Sequence, residues 1–151
     1  MRRYRYIDAD AVVDLLKQLV FLEGKPSKAR LIKRFLRRVS RNGVILVAEV
    51  NGRIVGAGGG YIIGSMENVE GERYGFIEFL VVDESYRGMG IGRSILLNLI
   101  DKLKARGVSE VYLEVNPRNE AALSLYRSLG FTVSYLTMNL KIDRASTDGK
   151  L

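Results

Sequence analysis

The sequence predicts an α/β domain on a mixed sheet, in the element order β-α-α-β-β-β-α-β-α-β. Three observations predict it. Short apolar runs bounded by turn residues alternate with stretches of helical periodicity. Asn51-Gly52 sits between two strand-like runs, which is a two-residue hairpin signal. The apolar run Leu80-Val81-Val82 leads into a loop with Gly88, Gly90 and Gly92, and that loop opens onto an amphipathic stretch.

Each element has a local reason. Tyr4 to Ile7 reads as a short strand. Asp8 or Asp10 can cap a helix to about Phe21, with Ala11, Val12, Leu15, Leu16, Leu19 and Val20 as its apolar stripe. Gly24-Lys25-Pro26-Ser27 breaks it. Ser27 can cap a second helix to about Ser40, with Leu31, Ile32, Phe35, Leu36 and Val39 inward. Its other face carries Lys28, Arg30, Lys33, Arg34, Arg37, Arg38 and Arg41, read as a solvated face. After an Asn42-Gly43 turn, Val44 to Val50 and Arg53 to Ile63 form the hairpin. Gly56, Gly58, Gly59 and Gly60 in the return strand suggest a bulge or a close backbone approach. Gly64 to Arg73 is a loop holding Glu67, Glu70 and Glu72, and Tyr74 to Val82 is a strong strand. A helix from about Gly90 to Arg106 ends near Gly107, in C-cap position. Val111 to Val115 is a strand. Asn119 caps a last helix, with Ala122, Leu123, Tyr126 and Leu129 inward, and Gly130 ends it. Phe131 to Ile142 is the final strand.

The 151 residues suit one domain, placed at residues 1–143, with a polar tail at 144–151. A hydrophobic fraction of 47% against 27% charged is that of an ordinary globular protein. No apolar run approaches the roughly 20 residues of a membrane span, and no signal-peptide core follows the basic start. A cytoplasmic protein with no membrane partner is expected. Neither Cys nor His occurs. That excludes disulfides, thiolate nucleophiles, Ser-His-Asp catalysis and the usual zinc sites. Acid–base work falls to Asp, Glu, Tyr, Lys, a terminal amine or water. The net charge of +7 fits nucleic acid, an acidic cofactor or solubility alone.

The glycine loop is the chemically informative stretch. Gly88, Gly90 and Gly92 remove three Cβ atoms, so backbone N–H groups can converge on a bulky anion. Ile91, Ile95, Leu96, Leu99, Ile100 and Leu103 follow at helical spacing. The loop therefore opens onto a helix N-terminus, whose unbonded N–H groups and dipole favour negative charge. Arg87 and Arg93 add fixed positive charge. A Walker loop would end in Gly-Lys-Ser/Thr, and here Arg93 and Ser94 follow Gly92. A Rossmann loop is G-x-G-x-x-G after a first strand, and this one is G-x-G-x-G in mid-chain.

A second block runs from Leu113-Glu114-Val115 through Asn119, Ala122 and Tyr126 to Gly130-Phe131. It sets a carboxylate on a strand, an amide at a helix cap and a phenol two turns on. Asn119 and Tyr126 are seven apart and share one helical face. Together the two blocks resemble the GNAT superfamily of acetyl-CoA-dependent N-acetyltransferases. Arg87-Gly88-Met89-Gly90-Ile91-Gly92 matches its R/Q-x-x-G-x-G/A motif, and Asn119-x-x-Ala122-x-x-x-Tyr126 its second motif. The resemblance covers about residues 1 to 143.

The resemblance implies a mostly antiparallel central sheet with helices on both faces. It implies acetyl-CoA as acetyl donor, with no metal. Backbone groups of Leu80, Val81 and Val82 would line the acetyl-pantetheine arm. Gly88, Met89, Gly90, Ile91, Gly92 and Arg93, with Arg87, would hold the pyrophosphate. Asn119 would bond the pantetheine, and Tyr126 would protonate the departing thiolate. Glu114 sits where ribosomal-protein N-terminal-alanine acetyltransferases carry a glutamate base. Glu78 sits where aminosugar-phosphate members carry a strand glutamate. The chain departs from the ribosomal-protein members in having one strand after Phe131 instead of a longer hairpin. The implied function is direct acetyl transfer to a primary amine of a protein N-terminus, a lysine or a small molecule. The alternatives are a basic nucleic-acid-binding domain using Arg30, Arg34, Arg37 and Arg38, and a non-catalytic acyl-CoA-binding module. A nucleic-acid partner is not expected, and pairing of two copies is left open.

Overall fold

A computed structural model describes residues 1–19, 29–64 and 72–142. It divides into two compact units, Met1–Glu114 and Val115–Leu151, each taken by itself.

The first unit is a five-stranded sheet whose strands lie side by side in chain order. These are β1 (Arg2–Arg3), β2 (Gly43–Val50), β3 (Arg53–Gly64), β4 (Arg73–Val82) and β5 (Val108–Leu113). Neighbours from β1 to β4 are antiparallel, and β5 joins β4 in parallel. The β2–β3 turn has positive φ at both Asn51 (50°) and Gly52 (78°), as a primed hairpin turn requires.

Helices cover both faces. α1 (Ala9–Leu16) and α2 (Ala29–Asn42) pack through Val12, Leu16, Ile32, Leu36 and Val39 onto Ile45, Val47, Ala57, Phe79 and Val81. α3 (Ile91–Lys104) lies on the opposite face and buries Ile95, Leu96, Leu99 and Leu103 completely. Each such burial is worth about 1.5–3 kcal/mol. Glycines in β3 let α3 sit close. A Cβ on Gly58 would stand 2.6 Å from Ile95, and one on Gly56 2.9 Å from it.

β4 carries one extra residue. Phe79 pairs with Gly59 and Ile77 with Gly60, so Glu78 is the bulged position. A bulge puts two consecutive side chains on nearly the same side. Both Glu78 and Phe79 accordingly meet α2, at Arg38 and Phe35.

Several local expectations are corrected. The first strand is Arg2–Arg3, and Tyr6–Asp8 is a 3₁₀ turn, not part of a strand. The cause is Asp8, 4% exposed, whose carboxylate accepts from the Arg5 N–H at 2.6 Å and from Arg2 at 2.7 and 2.9 Å. That arrangement turns the chain before it can extend. Asp8 therefore gives no side-chain cap to α1. Leu31 is 60% exposed instead of inward. Asn42 closes α2 and Gly43 opens β2, so the expected Asn42-Gly43 turn is a direct helix-to-strand junction. β5 starts earlier than expected and ends at Leu113. α1 ends at Leu16, with residues 17–19 in a turn, so it stops short of the expected end near Phe21, and Ala11 of its expected apolar stripe is exposed. The Gly24–Ser27 break with its Ser27 cap, the loop carboxylates Glu67 and Glu70 and the tail 144–151 lie outside the described residues.

The second unit holds α4 (Glu120–Ser128), capped by Asn119 and closed at Gly130, whose φ is +90°. The expected last strand is not formed among the described residues. Residues 131–142 carry no strand pairing, and Val133, Tyr135, Met138, Leu140 and Ile142 are at least 80% exposed. Their alternation is a strand pattern, but a strand also needs a hydrogen-bonding edge beside it. No described helix is long and apolar enough to cross a membrane.

The Arg2–Asp8 pair yields a stability prediction. Arg2 holds the Asp8 carboxyl below its ordinary range, helped by the Arg5 amide and opposed by burial. A lowered folded value contributes stability that is complete above the unfolded value of about 3.9 and lost as pH falls through the folded one. Asp8→Asn should cost about 1–3 kcal/mol near neutral pH. It should also remove part of the acid-induced loss, and denaturant titrations across acidic pH measure both.

Candidate active site

The site is built along β4. At its C-terminal end Asp83, 5% exposed, fixes the exit. Its N–H donates to the Val55 carbonyl at 2.9 Å, and its carboxylate accepts from the Ser85 N–H at 3.0 Å and from Arg53 at 2.9 Å. The Gln18 side chain accepts from the Glu84 N–H at 3.2 Å, and Arg87 Nε donates to the Val82 carbonyl at 3.0 Å. These bonds hold the start of the glycine loop against the sheet.

Gly88 and Gly90 have φ of +77° and +78°, the left-handed region that other residues adopt at a cost. A Cβ at either would meet nothing within 4 Å, so the loop is open above its own backbone. Gly90 is the N-cap of α3, and the first intrahelical bond runs from Ser94 N–H to Gly90 C=O. The opening amides of the helix therefore point out of its end. Gly92 differs from the other two. It lies inside the first turn of α3 with no positive φ, so what it contributes is the missing side chain. Amides, helix dipole and the flanking arginines fit a pyrophosphate, and the open space over Gly88 and Gly90 leaves room for one.

Upstream, β4 and β5 part. Their last paired residues are Ile77 and Leu113. β4 continues to Val82, so Glu78 to Val82 has no strand partner on that edge among the described residues. Backbone groups alternate between the two edges of a strand, so Leu80 and Val82 turn theirs to this open edge, where the Val82 carbonyl already accepts from Arg87, and Val81 lies between them beside the turn into the glycine loop.

Both candidate glutamates stand at this fork. Glu78 and Glu114 each follow the last paired residue of their own strand. The Glu78 side chain is 21% exposed and lies 3.8 Å from Arg38 of α2. Glu114 is exposed. Tyr61 of β3 connects them. Its phenol is pushed up first by burial, then by its hydrogen bond to Glu78, with the charges of Glu78 and Glu114 adding and Arg38 opposing. It is therefore a protonated donor at neutral pH. Phe76 stacks on Tyr61 at 5.8 Å, and the Arg38 guanidinium lies 5.7 Å above Phe35. Tyr61 was not singled out from the sequence, and Arg38 only as part of the basic surface of the alternative reading. Tyr61 is visible there only as a polar aromatic at the end of a glycine run.

Asn119 and Tyr126 belong to the second unit. Asn119 Oδ1 accepts from the Ala122 N–H at 3.1 Å, so its carbonyl serves as the cap while its amide N–H₂ is not used in that bond. Tyr126 is half-buried, its ring 5.9 Å from Phe131, and burial raises its phenol.

Three comparisons bear on this arrangement. The model of the Acetyltransferase (GNAT) family matches residues 10–131. The [ribosomal protein bS18]-alanine N-acetyltransferase of Escherichia coli K12 is 42% identical over 71 residues, 47% of this chain and 46% of that protein. The match thus spans about half the length of that relative. An acetyltransferase of Pectobacterium atrosepticum is 31% identical over 143 residues, 94% of each chain. Among solved structures, a Trypanosoma brucei acetyltransferase superposes with a TM-score of 0.75 at 28% identity, over 93% of this chain and 97% of that one. The family match covers most of the chain, its glycine loop and its fork, and on that ground the chain belongs to the GNAT family of acetyltransferases.

Proposed function

We propose that the protein transfers the acetyl group of acetyl-CoA directly to a primary amine. The observation that carries this reading is the open edge of β4 running into the glycine loop at the head of α3. Gly88 to Arg93 would hold the pyrophosphate through backbone amides. Leu80 and Val82, with Val81 between them, would bond the pantetheine arm, and Asn119 would supply a further donor to it. The donor contributes a thioester, whose carbonyl carbon is open to attack.

The residues divide the proton work. Glu78 accepts the proton of the amine, directly or through water. Its half-buried place, with Tyr61 and Arg38 beside it, supports it over the exposed Glu114. Glu114 remains the second candidate. Backbone N–H groups of β4 polarise the thioester carbonyl. The amine nitrogen bonds to the carbonyl carbon, the C–S bond breaks, and the sulfur leaves with its electron pair. Tyr126 then gives its proton to that sulfur. Its raised phenol keeps the proton available at neutral pH.

Gly90→Glu places a carboxylate at the proposed pyrophosphate site and strains a left-handed position. Acetyl-CoA affinity in calorimetry should fall on the order of 10²-fold, the loss of one or two charge-assisted bonds. Undiminished affinity in the folded variant would remove the site. Tyr126→Phe keeps the ring and removes only the hydroxyl. Turnover should drop on the order of 10²–10⁴-fold with little change in melting temperature. Glu78→Gln should lower turnover and erase the acidic limb of the pH–rate profile, with Glu114→Gln much less affected. Wild-type rates across pH in both glutamine variants would end the glutamate-base assignment.

A further inference from the structure

We infer that the amine acceptor is an acidic polypeptide segment, its carboxylates laid along the arginine stripe of α2 and its amine delivered to Glu78. This rests on the acetyl-transfer reading above and names the acceptor class for that site.

The fourteen residues of α2 include no carboxylate. Of its cations, Lys33 is compensated by Asp10 at 2.6 Å and Arg38 by Glu78 at 3.8 Å. Among the described residues, no carboxylate comes within ion-pair distance of Arg34, Arg37 or Arg41. Arg34, Arg37, Arg38 and Arg41 follow an i, i+3, i+4, i+7 spacing, so they form one stripe opposite the buried Ile32, Leu36 and Val39. Like charges at this spacing repel one another. Among the described residues the stripe keeps positive charge that no carboxylate neutralises, and such a field favours an anion.

The stripe is also a groove. Arg34, Arg37, Arg38 and Arg41, with Leu31 and Phe35, line a cavity of about 810 Å³. Two of these residues reach the fork: Arg38 pairs with Glu78, and Phe35 packs on Phe79 at 5.8 Å. A ligand in the groove therefore ends beside the proposed base. From Arg34 to Arg41 the helix advances about 10 Å. That is too long for one phosphate, and it suits alternate side chains of an extended peptide, spaced about 7 Å. Nucleic acid fits less well. Among the described residues that line the groove Phe35 is the one aromatic, and it already has Arg38 over its ring and Phe79 packed at 5.8 Å, so it offers little to a stacking base. The 60% exposed Leu31 offers apolar contact for a peptide side chain.

The test uses the full chain with acetyl-CoA and peptides of equal length, each with a free N-terminus and one lysine. In one set the following residues are Asp and Glu, in another Ser, in a third Lys. Glucosamine 6-phosphate serves as a small anionic amine and spermine as a cationic one. The acidic peptide should exceed the neutral one by on the order of tenfold in kcat/KM, through KM, and the advantage should shrink with salt. Mass spectrometry assigns the acetyl group to the N-terminus or the lysine, the two sources of the amine. Arg34→Glu/Arg37→Glu should erase or invert the preference while acetyl-CoA affinity in calorimetry stays unchanged. Preference for basic or neutral peptides, for spermine or for the sugar phosphate would overturn the inference and leave acetyl transfer standing. So would an acidic preference that survives the double reversal, or tight, salt-sensitive nucleic-acid binding lost in it. No transfer to any probe would overturn the acetyl-transfer reading and this inference together.

Discussion

Parallel pairing between β4 and β5 stops at Ile77 and Leu113, and the rest of the site depends on that stop. A central strand ordinarily satisfies its backbone groups on both edges. Here Phe79 to Val82 keep β3 on one side, Glu78 is the bulge, and among the described residues none of the five has a strand on the other side. Such an edge is costly to leave dry and suits a ligand with amide groups of its own. It also sets the directions of the two carboxylates, since each branch of the fork begins with a glutamate. Had pairing continued two residues further, Glu78 and Glu114 would be ladder positions with ordinary cross-strand neighbours.

β3 makes that geometry affordable to the fold through its glycines. Four glycines in the interior of β3, Gly56, Gly58, Gly59 and Gly60, lower its intrinsic strand preference, each by roughly 0.5–1 kcal/mol relative to alanine. The packing they permit outweighs this. Gly56 and Gly58 admit Ile91, Ile95 and Leu99 of α3. On the other face a Cβ at Gly59 would stand 2.6 Å from the Phe79 ring. Opposite the bulge, a Cβ on Gly60 would stand 2.6 Å from the Phe76 carbonyl oxygen. The same run thus seats the helix that carries the glycine loop and makes room for the residue step that turns Glu78 toward α2.

What was legible in the sequence is what is local. The glycine loop opening onto α3, the apolar stripe of α3 and the Asn51-Gly52 turn each depend on a few neighbouring residues, and each reads directly. The glycine run announced a bulge or close approach, and both occur. The bulge position was not readable, because Phe76-Ile77-Glu78-Phe79 is nearly all apolar and carries no phase. The Arg38–Glu78 pair joins residues forty apart, and the Tyr61–Glu78 bond depends on register across β3 and β4. The N-terminal strand misled for a different reason. Its apolar residues favour extension, but a buried Asp8 with three hydrogen bonds decides the backbone. At Phe131 to Ile142 the alternating pattern reads as a strand, yet no strand pairing forms there among the described residues.

The bulge also divides the two sides of β4. Leu80 lies toward α3, against the space over Gly58, while Glu78 and Phe79 lie toward α2. On the proposed reading, a donor held by the glycine loop and an amine guided by α2 would approach one strand from different sides. They would meet across the roughly 13 Å of chain between Glu78 and Val82. The strength of the Arg38 contact matters here. A tight bidentate pair would occupy the Glu78 carboxylate. At 3.8 Å, with Arg38 66% exposed, the pair is of the solvent-screened kind worth at most about 1 kcal/mol. Arg38 can orient the carboxylate without holding it from an arriving amine. Tyr61 lies near enough to the same carboxylate for Glu78 to help raise its phenol, so a neutral hydroxyl stands beside the group. A carboxylate with a neutral phenol beside it and only a loosely placed cation would be free to take up a proton in the proposed reaction. The α2 face around it stays positive enough to favour acceptors that bring negative charge.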